Sequence, residues 1–126
     1  MSKQVINTNA APAPIGPYNQ CIRANGFLFI SGQIALDPVT GQIHAASPEE
    51  ETHQVMKNLS AILQEAGQDF NAVVKTIIFL SDMSLFGVVN EVYGQYITVD
   101  HPARETVAVK GLPKGVNVEI SMIALG

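Results

Sequence analysis

Two charged side chains stand where the surrounding apolar text gives no ordinary reason for them. Arg104 follows His101-Pro102-Ala103 and opens a strand-like run, where a guanidinium can be held rigidly at a sheet end. Such placement suits bidentate recognition of a carboxylate. Glu119 is a lone acid between Val118 and Ile120, near the end of an otherwise apolar strand, and a buried acid needs a reason. An Arg104–Glu119 ion pair, or an exposed edge face, accounts for the same two residues without any chemistry. A simple hairpin about Gly111 to Gly115 sets Glu119 across from Val107, on the opposite sheet face from Arg104. A bulge that re-aims one side chain, or a site shared by two subunits, would then be needed to join them. Tyr18, Asn90 and Tyr93 read equally well as packing and capping residues.

Other chemistries lack their residues. A zinc-dependent deaminase needs a histidine with paired cysteines, and the chain has one cysteine, Cys21, with His44, His53 and His101 far apart in sequence. No bound metal is expected. Gly111 to Gly115 contains Lys114 but not the spacing of a phosphate loop, and no dinucleotide glycine fingerprint occurs. Ser31-Gly32 lacks the G-x-S-x-G elbow of a serine hydrolase. A lone mid-strand cysteine reads as a small buried hydrophobe. Glu49-Glu50-Glu51 falls in the first turn of a helix, where carboxylates complement the dipole.

The elements that must position Arg104 and Glu119 can be read from periodicity. Gln20 to Ala24 and Phe27 to Ile30 form two short strands about the Asn25-Gly26 hairpin signal. Asp37-Pro38-Val39-Thr40-Gly41 is a turn. Ser47-Pro48-Glu49-Glu50 caps a helix carrying Val55, Leu59, Ile62, Leu63 and Ala66, with Gly67 as its left-handed terminator. Val73 to Leu80 is the β-branched run of a central strand, covered on both faces. A second helix spans about Leu85 to Ile97, and Thr106 to Val109 and Val116 to Met122 alternate as strands. The opening Met1 to Pro17, rich in proline, reads as an ordered arm without a helix. The order ββαβαββ implies an α+β fold with both helices on one face of a mixed sheet.

The other face then needs a cover. Only 14% of the 126 residues are charged against 47% hydrophobic, few charges for a monomer that must coat its whole surface, so an interface is expected. The length fits one domain spanning residues 1–126. A net charge of −4 with scattered lysines and arginines argues against a nucleic-acid partner. No apolar run approaches the roughly 20 residues that span a bilayer. The single cysteine and the lack of an apolar leader point to the reducing cytoplasm.

Several short blocks occur together and in order: Ile15-Gly16-Pro17-Tyr18-Asn19-Gln20, Ser31-Gly32-Gln33, Asn90-Glu91-Val92-Tyr93, Pro102-Ala103-Arg104, Leu112-Pro113-Lys114-Gly115 and Val118-Glu119-Ile120. Over essentially its whole length the chain resembles the RidA (YjgF-type) enamine/imine deaminases. The resemblance implies a chorismate-mutase-like fold and a homotrimer with a central β-barrel, its ligand clefts lying between subunits. It implies that Arg104 grips a substrate carboxylate, Glu119 holds the attacking water, Tyr18 walls the cleft, and Gly32, Asn90 and Thr106 border it. It implies no metal and no organic cofactor.

The expected reaction is hydrolysis of carboxylate-bearing imines and enamines, such as 2-aminoacrylate, to 2-keto acids and ammonia, which needs only orientation, a positioned water and charge complementarity. Two positions depart from the family pattern: Thr106 stands where cysteine is frequent, and Glu105 where a small residue is frequent. The first removes any thiol mechanism there; the second adds a negative charge that strand alternation turns away from the cleft. The alternative is a regulatory trimer that binds 2-keto acids without turnover. An RNA-acting protein, suggested by older labels in the family, is disfavoured by the acidic composition.

Overall fold

The computed structural model describes residues 2–126. Its first element was not anticipated: Gln4–Ile6 forms a short strand, β1, within the expected arm. Three residues leave no readable alternation; pairing decides, with Gln4 opposite Arg23 and Ile6 opposite Cys21. The rest of the arm is fastened by the buried amide of Gln20, whose Nε2 donates to the carbonyls of Thr8 (3.0 Å) and Pro12 (2.8 Å) while Oε1 accepts from the Thr8 N–H (2.7 Å).

Strands β2 (Cys21–Ala24) and β3 (Phe27–Gln33) form the expected hairpin. Asn25 (φ 56°) and Gly26 (φ 83°) both adopt the left-handed region that a type I′ turn requires. Helix α1 (Pro48–Glu65) starts at Ser47, whose hydroxyl accepts from the Glu50 N–H at 3.1 Å. It ends in a Schellman pair, Gly67 N–H to Gln64 O (3.0 Å) and Gln68 N–H to Leu63 O (2.9 Å). Strand β4 (Val73–Leu80), helix α2 (Phe86–Tyr96) and strands β5 (Ala103–Ala108) and β6 (Val118–Leu125) complete the fold.

The strand order is β1-β2-β3-β6-β4-β5, which corrects the expected hairpin between the last two strands. Strand β5 runs parallel to β4 after the α2 crossover, and β6 inserts antiparallel between β3 and β4. Both β3 and β4 oppose β6, so the α1 crossover leaves a slot one strand wide that the last strand fills.

Both helices bury their apolar stripes on one sheet face. Val55, Met56, Leu59, Ile62, Leu63, Val89 and Tyr93 pack with Leu28, Ile30, Ile78, Leu80, Ile120 and Met122 in one core. Phe27, Phe29, Val107 and Leu125 are exposed on the other face. Register aligns Val5, Ile22, Phe29 and Ile123 in one apolar row across four strands. Strand β4 is therefore covered on one face only in the protomer, and Ile77 and Phe79 remain partly exposed on the other. Exposed rows of this kind mark contact surfaces.

A chain of amides ties the segment after β3 to α1. His44 Nδ1 lies 3.2 Å from Gln54 Oε1, Gln54 donates to Asn58 Oδ1 (2.9 Å), and Asn58 donates to the carbonyls of Ile34 (3.1 Å) and Leu36 (3.0 Å). Among the described residues no helix is long and apolar enough to cross a membrane.

Candidate active site

Glu119 points to the sheet face without helices: it pairs with Phe79, whereas Thr76, Ile78 and Leu80 point towards the helices. A β-bulge shapes its surroundings. Between the pairs Ile30–Met122 and Gln33–Ile120, β3 advances one residue more than β6. Gly32 lies in that bulge against Glu119, so close that a Cβ there would fall 2.7 Å from Oε2. The carboxylate lines a cavity walled by Pro12, Ile15, Ile34, Leu36 and Pro113, with Tyr18 and Gln20 also on its border. The Tyr18 hydroxyl accepts from the Ile15 N–H at 3.3 Å and so closes the arm over this cavity. Burial pushes the Glu119 carboxyl above the usual carboxylate range.

Arg104 takes the other face. It pairs with Thr76, to whose hydroxyl the Tyr93 phenol donates at 2.9 Å. The guanidinium lies over the rings of Tyr93 (5.1 Å) and Phe86 (5.8 Å). Among the described residues it has no acidic partner, since the ion pair formed there joins Lys75 and Glu105 at 2.9 Å. Glu105 is thus turned away from Arg104, as strand alternation requires. Asn90 is exposed and lies between Phe86 and Tyr93 on the helical stripe beneath the guanidinium. Thr106, two residues along β5, shares the Arg104 face, and its buried Oγ1 has no hydrogen-bond partner among the described residues. Burial raises the Tyr93 phenol; the Thr76 hydrogen bond and nearby Arg104 oppose it.

Tyr18, Gly32 and Glu119 therefore form one cluster, and Asn90, Arg104 and Thr106 another, on opposite faces of the sheet. The bulge sits on β3 and re-aims neither charged side chain. Gln20, read from the sequence as a strand start, and Phe86, within the expected second helix, are neighbours of these clusters. Remaining candidates resolve as structural. Cys21 is fully buried, and burial pushes its thiol up, against the pull of Arg23. His53 Nδ1 lies 2.8 Å from the Tyr96 hydroxyl. No group of three metal-ligating side chains occurs among the described residues.

Comparison with known proteins agrees with this architecture. A family model described as "Endoribonuclease L-PSP" matches residues 8–126. The chain is 48% identical over 123 residues to a mouse protein named 2-iminobutanoate/2-iminopropanoate deaminase, covering 98% of this chain and 91% of that one. It is 49% identical over 121 residues to a Lactococcus lactis protein named as a putative regulator, covering 96% of each. The crystal structure of a Rid-family protein of unknown function from Yersinia pestis superposes with a TM-score of 0.96 at 44% identity, over 99% of this chain and all of the other. The chain belongs to the RidA (YjgF-type) family, whose sequence model bears the endoribonuclease L-PSP description.

Proposed function

We propose that the protein is a deaminase of 2-imino acids, hydrolysing 2-iminopropanoate and 2-iminobutanoate, and the enamines that tautomerise to them, to 2-keto acids and ammonia. The observation that carries the reading is Glu119, a half-buried carboxyl raised by desolvation in an apolar-walled cavity. A carboxyl so placed, raised above the usual carboxylate range, can hold a water and exchange a proton with it. Mammalian relatives named for this reaction support the substrate class.

The substrate carboxylate pairs with Arg104, whose guanidinium lies against the Phe86 and Tyr93 rings and has no acidic partner among the described residues. Water held by Glu119 attacks the carbon of the protonated imine as the ionised Glu119 takes one of its protons; Glu119 returns that proton to the carbinolamine nitrogen, and as the C–N bond breaks and ammonia leaves, the carboxylate takes the hydroxyl proton and leaves the 2-keto acid. The Ile34 and Leu36 wall suits a methyl or ethyl side chain. No electron is transferred, so the step needs no redox group, and the reading assigns no metal or organic cofactor.

Arg104 and Glu119 face opposite ways in one protomer, so the complete site takes Arg104, Asn90 and Thr106 from one subunit and Glu119, Tyr18 and Gly32 from the next. A homotrimer that buries the Phe29 face supplies this arrangement, with that face forming the wall of a central barrel. The same half-sites would serve a regulator that binds 2-keto acids without turnover, in line with the name of the Lactococcus relative. A ribonuclease reading has less support, because the net charge is −4 and Arg23 and Lys75 are engaged within the protomer.

The deciding experiment couples the protein to a serine or threonine dehydratase and follows 2-keto acid release. Acceleration by wild type and not by Arg104→Ala supports the deaminase. Binding of 2-keto acid without acceleration supports the regulator.

A further inference from the structure

We infer that Glu51 is a positioning residue for the proposed reaction: from the first turn of α1 it fixes the backbone that carries Glu119. The inference rests on the reading of Glu119 given above. Helix-dipole complementarity accounts for Glu49 and Glu50, which are exposed, but not for Glu51, which is fully buried. Its Oε2 accepts from the N–H groups of Asn117 (2.8 Å) and Val118 (3.0 Å), and its Oε1 accepts from Asn117 Nδ2 (3.0 Å). Burying a carboxylate is costly, and these donors meet that cost at the two residues preceding Glu119.

A second brace closes on the same place. Ser81 donates its N–H to the Asn117 carbonyl (2.9 Å) and its hydroxyl to Asn117 Oδ1 (3.0 Å). The Glu119 carboxylate, by contrast, takes no hydrogen bond from the described residues, so backbone placement and packing, with Gly32 leaving room for it, set its position. In a reaction that depends on aiming a water, a 1 Å displacement of the acid can cost about 100-fold in rate. Among residues lining the cavity Tyr18 is the other titratable group, and Phe79 lies across from Glu119 on β4, so acid-range titration of this cavity reports on Glu119.

The test compares full-length wild type with Glu51→Ala and Glu51→Gln by carboxyl carbon NMR and by imine hydrolysis. In Glu51→Ala the start of β6 loosens and water reaches Glu119, so its titration midpoint moves down, towards the ordinary carboxylate range. Its kcat falls about tenfold while KM, set by the Arg104 half-site, holds. Glu51→Gln, which keeps an acceptor for both backbone N–H groups, restores most of both. A purely structural role lowers kcat only in proportion to folded protein and leaves the Glu119 midpoint unmoved, which would overturn the inference. If Glu51→Ala does not fold, Ser81→Ala and Asn117→Ala weaken the same brace; both must lower the midpoint, and wild-type values in both would also overturn it. The NMR readout needs no turnover. Failure of wild type to hydrolyse imines sinks the deaminase reading, whereas an unmoved Glu119 midpoint sinks the role of Glu51.

Discussion

Arg104 and Glu119 flank β4 on opposite faces of one sheet, Arg104 paired with Thr76 and Glu119 with Phe79. Within a protomer neither can serve a ligand held by the other. Mixing two impaired proteins, Arg104→Ala and Glu119→Gln, and letting their subunits exchange should therefore raise activity above that of either alone. At a 1:1 ratio roughly one quarter of the sites combine an intact Arg104 with an intact Glu119. Recovered 2-keto acid release after exchange checks this; no recovery would rule out a shared site.

Arg104→Ala should lower kcat/KM by about 10- to 100-fold, the worth of a charge-assisted hydrogen-bonded pair. Arg104→Lys should recover little, because an ammonium neither forks onto a carboxylate nor stacks on Phe86 and Tyr93 in the same way. Steady-state kinetics with 2-iminopropanoate generated in situ measures both.

Gly32→Ala places a methyl 2.7 Å from Glu119 Oε2. The carboxylate is the freer partner and should swing aside. The expected outcome is a kcat reduced about 10- to 100-fold in a protein whose melting temperature barely changes. Wild-type kcat would mean that the position of Glu119 is unimportant.

Glu119→Gln should lose about 100-fold or more in kcat, and its stability should carry a distinct pH signature. The folded protein holds the Glu119 proton more tightly than the unfolded chain does, because burial raises this carboxyl. Stability is thus withdrawn as pH rises from the ordinary carboxylate value through the folded one. Glu119→Gln escapes that loss. It should melt above wild type at pH 8 and gain less at pH 4, as calorimetry at the two values would show.

Tyr93→Phe keeps the ring beneath Arg104 but strips the buried Thr76 hydroxyl of its donor. A stability loss of about 1–3 kcal/mol is expected with near-normal KM. Tyr93→Leu, which removes the ring, should also raise KM. Denaturant unfolding alongside kinetics separates the two effects.

Much of this was legible locally. The Asn25-Gly26 turn, the Ser47 cap, the Gly67 terminator and the β-branched run of β4 depend on neighbours a few residues away, and all stand where the periodicity set them. Strand neighbours were not legible. Nothing between Val109 and Asn117 states that β4 will lie between β5 and β6, because that choice is made by the slot left over the α1 crossover. The expected separation of Arg104 from Glu119 held, but through an inserted strand and not through hairpin register. Glu51 shows the same limit: a first-turn acid looks alike in sequence whether it faces solvent or meets a strand 67 residues away. Gly32 carried its motif, while the reason for it, a carboxylate where a Cβ would fall, exists only once β3 and β6 are paired.

The amide chain from Gln54 through Asn58 to the carbonyls of Ile34 and Leu36 makes one wall of the cavity an outgrowth of α1. A stretch that belongs to no strand or helix is thereby tied to the middle of that helix. On the clock of amide proton exchange, loosening of residues 54–58 should speed exchange at residues 34–36 and reshape that cavity wall with it.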